Sequence, residues 1–349
     1  MRRINISYAP PGVVLARPLV DERGAYVLAS GQALTPAVRE RLWERGFRYA
    51  YVESLGFENL VVHEPLEPQT FMRARQLARQ LMDGARTAAA SLEVPVQELS
   101  DLAADACEEL SRIPAGRGFL LYPEWGSVMD KRIAFAVNAG VVAAMVGRAM
   151  EGVEAARHLF TAALLQDLGL WRVERTPDHV AVSREMLRPQ ANVSALVKAI
   201  VAQHHERLDG SGYPAGKTGA DLHPLGRIMS VVVAYLELLS DGVLPHEAQE
   251  ALMAGAGTEF DLDAVKTLMR YVPGYPAGTV VRLSGGRHAV VVDAGAPGLN
   301  RPRVRLLPRD FWRAGEEPAT EEDLERARAE IEELDLAGLY TMTIEAVLE

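Results

Sequence analysis

The spacing of apolar and polar positions changes twice along the 349-residue chain. Up to about residue 62, short apolar runs at Val13–Leu19, Tyr26–Leu28 and Tyr49–Val52 predict strands, and a polar turn, Asp21-Glu22-Arg23-Gly24, separates the first two. Thr35-Pro36 predicts a helix start, with Thr35 as N-cap and Pro36 at the first helical position, and the helix ends at Gly46. Pro65 and Pro68 mark a boundary, because each forces its predecessor out of helical geometry. From about 70 to 272 the period is helical. Phe71, Leu77, Leu81 and Met82 form one amphipathic stripe and 96–113 a second, followed by helices over 129–150, 153–168, 183–187, 193–205, 224–239 and 246–254. A Gly-rich stretch, ERLDGSGYPAGKTGADLH over 206–223, interrupts them; a loop this long inside a helical domain points to function. Past Tyr271 the period returns to two, with strands over Val280–Leu283, 289–292 and 304–307, a charged helix over 319–334 and a closing strand over 339–344. The expected fold class is mainly α: a helical domain (69–272) between a small N-terminal α/β module (1–64) and a small C-terminal β-rich module with a helix (273–349).

Composition narrows the function classes. Lys and Arg total 37 against 47 Asp and Glu, a formal net charge of −10, which argues against nucleic acid as a partner bound through a broad basic surface. The single cysteine, Cys107, excludes an intrachain disulfide and any Cys-cluster metal site. The first residues, MRRINISYAPPGVVLARP, lack an apolar core long enough for a signal peptide. The longest apolar run, 133–150, is interrupted by Asn138 and rich in Ala and Gly, short of the ~20 strongly apolar residues of a membrane span. The expectation is a cytoplasmic protein with no membrane segment.

Candidate chemistry concentrates in the helical domain. Gln166-Asp167-Leu168-Gly169 is followed by His179, then His204-His205-Glu206, then Asp209-Gly210-Ser211-Gly212-Tyr213-Pro214. Imidazole nitrogens and a carboxylate converging from different helices suit Zn, Fe or Mn. Neighbouring histidines at a helix end reach one pocket only if the last turn loosens. By residue type alone the alternative is a set of core or surface histidines with ordinary partners.

The segment HHERLDGSGYPAGKTG resembles the signature loop of the HD-GYP family, helical metal-dependent hydrolases that degrade cyclic di-GMP. TAALLQDLGL is similar to that family's helix ending in His-Asp-x-Gly-Lys, HVAVSREML to its His-x3-Gly segment, and GRIMSVVVAYLELLSDG to its Ala-Arg-Ile helix. The likeness covers about residues 120–270. It implies a metal set of Asp167, His179, His204 and His205, and a ligand cleft lined by Tyr213 with Gly212, Pro214 and Asp209. It also exposes departures. Phe135 and Gln166 stand where the family has histidines, Val233 where it has its last aspartate, Leu170 where it has lysine, and Gly242-Val243-Leu244 where it has Arg-Pro-Tyr.

Those departures bear on catalysis. Of the first metal position only Asp167 survives, whereas the second retains all four residues. Three imidazoles and a carboxylate suffice for one divalent ion, Fe, Mn or Zn; the other reading is a metal-free polar cluster between helices. Two-metal phosphodiester cleavage needs both ions to activate the nucleophile and to stabilise developing charge, and the lost Lys and Arg remove further positive charge. Each loss costs several kcal/mol of barrier, with about 1.4 kcal/mol per tenfold. No residue is assigned a catalytic role. The leading expectation is a degenerate HD-GYP-like signalling protein, inactive or very weak, whose candidate partners are a cyclic dinucleotide, a signalling protein or a second copy of itself. The alternatives are a residual metal-dependent phosphodiesterase and a ligand-free interaction module. For the Gly-rich loop, a structural clasp with Asp209 as turn former competes with a ligand-binding role.

Overall fold

The computed structural model describes residues 2–20, 26–47, 49–54, 56–57, 60, 64–87, 92–115, 121, 127–173, 178–296, 300–308 and 321–348. The chain divides into two compact units, one of residues 1–63, 117–120 and 275–349, the other of 64–116 and 121–274. This departs from the expected three-module division, because the N-terminal and C-terminal stretches belong to one unit. Phe57 and Leu60 pack in one buried cluster with Val280, Val290 and Leu307, and the guanidinium of Arg305 donates to the Gly56 carbonyl at 3.0 Å.

In that first unit, β1 (Arg2–Asn5) pairs antiparallel with β4 (Tyr49–Val52), and β2 (Leu19–Val20) with β3 (Tyr26–Leu28). The run expected as a strand over 13–19 contributes only single bridges, Val14 to Ala33 and Leu15 to Val52, before β2. β1 was not foreseen, since RRIN has no alternation to read. The turn expected at 21–24 lies outside the described residues. α1 (Pro36–Glu44) starts as its residues dictate, with the Thr35 hydroxyl accepting from Val38 N–H at 3.3 Å. The C-terminal part is an antiparallel sheet in the order β8-β7-β6-β5-β9, built from β5 (Val280–Leu283), β6 (His288–Asp293), β7 (Arg303–Leu306), β8 (Glu333–Asp335) and β9 (Ile344–Leu348). The closing strand is β9 and not 339–344, because a 3-10 turn at Leu336–Gly338 intervenes.

The second unit is helical: α2 (Pro68–Thr87), α3 (Val96–Leu110), α4 (Val128–Glu151), α5 (Val153–Leu165), α6 (Asp178–Leu187), α7 (Ala195–Val201), α8 (Pro224–Ser240), α9 (Pro245–Gly255) and α10 (Leu262–Tyr271). In the first unit α11 (Glu321–Ala329) follows β7. α4 is the central helix, packed against α2, α3, α5, α8 and α10. By length and composition α4 meets the requirement for a membrane span, so the reading that 133–150 falls short is corrected. Within the unit, 72% of its apolar window is buried, which accounts for its hydropathy as that of a core helix. Ser127 and Asp130 form a reciprocal capping box at its start, and Arg79 of α2 donates to Asp130 at 2.6 Å. The α2 and α3 stripes are core: Leu77, Leu81 and Met82, and Leu99, Leu102 and Leu110, are all buried.

Candidate metal centre

Asp167 follows directly on α5, whose C-cap is Gln166, and a 3-10 turn, Leu168–Trp171, then carries the chain toward α6. Gly169 sets how near α6 can come. A Cβ there would lie 2.1 Å from the His179 carbonyl oxygen, so only glycine permits this approach. The Gly169 N–H donates to the buried Ser183 hydroxyl at 2.8 Å, which ties the turn to α6. The consequence is functional: His179, in the first turn of α6 and 1% exposed, is held beside Asp167, its Nε2 3.4 Å from Oδ1.

The double histidine arrives from the opposite side. α7 stops at Val201 and residues 202–205 continue as turns, so the helix expected to run to 205 ends earlier. His204 Nδ1 lies 2.7 Å from the Val201 carbonyl, which can only accept, so Nδ1 carries the proton. In the neutral ring Nε2 is then a bare lone pair. That atom lies 3.3 Å from His179 Nε2 and 3.7 Å from Asp167 Oδ1. His205 closes the group, its ring centroid 4.2 Å from that of His204. One donor atom from each of Asp167, His179, His204 and His205 lies within 4.8 Å of all the others, the single such cluster found among the described residues.

A converging set of acceptors repels itself unless a proton or cation sits among them. Burial by itself raises the Asp167 pKa, but where the His179 and His204 rings present a proton to the carboxylate, their hydrogen bonds and charge outweigh it, so the carboxyl is held well below the usual carboxylate range; a bound cation would stand in for those protons. The anionic form is therefore the resident one. Donors about 2.1 Å from one tetrahedral ion stand about 3.4 Å apart, close to the 3.3, 3.4 and 3.7 Å separations among Asp167, His179 and His204. A backbone carbonyl accepting the far ring N–H, as Val201 does for His204, is the usual way a ligating imidazole is oriented. The residues fit one divalent cation. Beside them Gln166 is fully buried; its Nε2 donates weakly to Asp167 Oδ2 at 3.4 Å and its Oε1 has no hydrogen-bond partner.

The other departures fall where they supply no ligand. Val233 is buried in α8 and Phe135 is half-buried in α4. Leu170 offers its carbonyl to Arg132, which stacks over Trp171. Gly242 is exposed with φ +89°, its N–H donating to Leu239 as α8 ends. His158 is engaged with its own helix at Glu154, and His223 caps α8.

The Gly-rich loop is strongly anchored. Glu206, 1% exposed, accepts from the backbone N–H groups of Ala215 at 2.8 Å and Lys217 at 3.0 Å, tying the loop's far limb to its root. Glu206 is named in the sequence beside the double histidine, but its role is not legible there, since its partners are backbone groups. Gly212 is required by close approach, as a Cβ would meet Arg207 N at 2.4 Å and His205 O at 2.5 Å. Asp209 accepts from Ser211 N–H at 2.9 Å and its hydroxyl at 2.7 Å, a turn-forming role. Arg227 donates to the carbonyls of Leu222 and Gly219. Tyr213, joined to Pro214 by a cis peptide, stacks on His205 with centroids 4.5 Å apart and planes 23° apart. Of the four loop residues, only Tyr213 has ring contacts with the metal cluster, to His205 and His179.

Part of the chain is similar to known proteins. The HD domain family matches residues 172–263, which include three of the four cluster residues. Over 141 residues the chain is 36% identical to "Cyclic di-GMP phosphodiesterase PA4108" of Pseudomonas aeruginosa, covering 39% of this chain and 33% of that protein. It is 32% identical over 99 residues to "3'3'-cGAMP-specific phosphodiesterase 2" of Vibrio cholerae, 27% of this chain and 19% of that one. It is 32% identical over 154 residues to "Cyclic di-GMP phosphodiesterase response regulator RpfG" of Xanthomonas campestris, 38% and 40% of the two chains. The chain thus spans 19–40% of the length of these relatives. A solved structure, Bd1817, described as a HDG"Y"P protein from Bdellovibrio bacteriovorus, has a TM-score of 0.47 at 15% identity over 76% of this chain and 97% of that one.

Proposed function

We propose that this chain, which is similar to HD-domain cyclic dinucleotide phosphodiesterases over part of its length, is an HD-GYP-like signalling protein that binds one divalent cation and turns over cyclic di-GMP slowly or not at all. The observation that carries this reading is the asymmetry of the site. Four donors converge within 4.8 Å, while the positions of Phe135, Gln166 and Val233 add neither imidazole nor carboxylate. A bound divalent cation supplies Lewis-acid polarisation of a phosphoryl oxygen. The chain's own residues hold and orient: Val201 fixes the His204 ring, Gly169 admits His179, and Glu206 keeps the loop that carries Tyr213 beside His205. A cyclic dinucleotide, with a base meeting Tyr213, is the proposed small ligand; a signalling protein or a second copy of the chain is the proposed macromolecular partner. The proposed setting is the cytoplasm, supported by the burial of α4 as a core helix.

A second reading, a residual metal-dependent phosphodiesterase, is favoured by the activity named for the relatives. Metal analysis of the purified chain, with a cyclic di-GMP hydrolysis assay in added Mn(II) or Fe(II), separates the two. The proposal expects one ion per chain, lost in the double variant His204→Ala/His205→Ala, and the same negligible turnover in both proteins. Metal-dependent cleavage that disappears in the variant establishes the second reading. Absence of any metal overturns both and leaves an interaction module without a ligand.

A further inference from the structure

We propose that this centre is a closed, four-coordinate zinc site whose role is structural: the ion staples α6 to the end of α7 and has no position left for a phosphoryl oxygen. This rests on the metal-binding reading above and deepens it by assigning the metal and its task. The first ground is spacing. An octahedral ion with bonds of about 2.1 Å sets neighbouring donors about 3.0 Å apart. The separations of 3.3, 3.4 and 3.7 Å among Asp167, His179 and His204 are wider and match a tetrahedral face. His205 supplies the fourth donor, within 4.8 Å of the others. Three imidazoles and one carboxylate then complete the coordination number zinc takes in structural sites, whereas a six-coordinate Mn(II) or Fe(II) lacks two donors.

The second ground is enclosure. Catalytic zinc keeps one position open to substrate. Here the side chains of His204, His179, His205 and Asp167 are 0%, 1%, 9% and 15% exposed, and the Tyr213 ring lies stacked on His205. Polarising a phosphoryl oxygen requires an open position, so a closed site accounts for slow or absent turnover. The third ground is where the donors come from: the end of α5, the first turn of α6 and the turns after α7. α6 and α7 have 10 and 7 residues, short of the roughly 12–15 at which an isolated helix becomes even marginally stable. An ion held by donors from all three segments cross-links them, and its binding energy is then folding energy for this part of the helical unit.

Co(II), which replaces zinc and whose visible spectrum reports coordination number, tests this in the full chain. The expected result is the intense absorption of four-coordinate Co(II), displaced by one equivalent of Zn(II) and unchanged by excess inorganic phosphate. His205→Ala removes one donor, and the spectrum of its Co(II) form is expected to respond to phosphate. Zn(II) is expected to slow amide hydrogen exchange about 10-fold or more in α6 and α7 while leaving α2 and α3 unchanged. The weak spectrum of six-coordinate Co(II), a phosphate response in the unaltered chain, or exchange in α6 and α7 that ignores Zn(II) overturns the closed structural site and leaves the one-ion reading intact. Absence of binding of either metal to the unaltered chain instead overturns the reading beneath it.

Discussion

Adding a single methyl group at Gly169 tests how the fold builds the centre. In Gly169→Ala the new Cβ meets the His179 carbonyl oxygen at 2.1 Å, its carbon at 2.9 Å and Ser183 N at 3.0 Å. Ordinary carbon–oxygen contacts lie near 3.3 Å, so α6 must recoil by about 1 Å. Overpacking of this kind costs about 1–3 kcal/mol. The recoil also breaks the buried hydrogen bond from Gly169 N–H to Ser183, for about 1–3 kcal/mol more. Together these give about 2–6 kcal/mol, a fall in melting temperature of about 4–24 °C at about 2–4 °C per kcal/mol for a domain of this size. His179 moves with α6, so metal affinity falls by about 10–100-fold, as when other orienting contacts are lost. Thermal denaturation with and without Mn(II), with calorimetric titration, reads both effects. Gly338→Ala, where a Cβ meets nothing within 4 Å, is the control and is expected to be neutral. A Gly169→Ala protein that melts within about 2 °C of the unaltered chain and binds Mn(II) equally well would refute the claim that this glycine positions His179.

Two other perturbations follow from the same contacts. Glu206→Ala removes the acceptor of the Ala215 and Lys217 N–H groups, for an expected loss of about 2–4 kcal/mol, and amide hydrogen exchange at those two residues should accelerate ahead of global unfolding; unchanged exchange there contradicts the clasp. At Asp130 burial raises the pKa, but hydrogen bonds from Ser127 and Arg79 overcome it and hold the carboxyl below its ordinary value of 3.8. The unfolded chain therefore takes up this proton first on acidification, so the contribution is present in full above that value and is lost as pH falls through and below it. Replacing Asp130 by Asn should lower stability at pH 7 and flatten the decline below pH 5 in urea denaturation; parallel profiles for the two proteins contradict the pairing.

The helical fold was legible because amphipathic stripes such as Leu77, Leu81 and Met82 write burial directly into spacing. Strand ends were less so: β1 lacks alternation, and β9 starts where the expected closing strand ends. That the N- and C-terminal stretches form one unit could not be read locally, since Phe57 and Leu307 meet across some 250 intervening positions. Asp167, His179, His204 and His205 were identified through the family-like segments, and their convergence depends on Gly169 and on the early end of α7. Glu206 is named beside the double histidine, but its clasp role could not be read because its partners are backbone N–H groups. The apolar α4 shows the reverse case, where composition fits two environments and only burial decides between them.

Metal stoichiometry tests the central claim most directly. Elemental analysis of the purified chain, paired with anomalous diffraction at the absorption edge of the metal found, should give one ion per chain centred among Asp167, His179, His204 and His205. Two adjacent ions, or one ion elsewhere with these four residues unliganded, would contradict it.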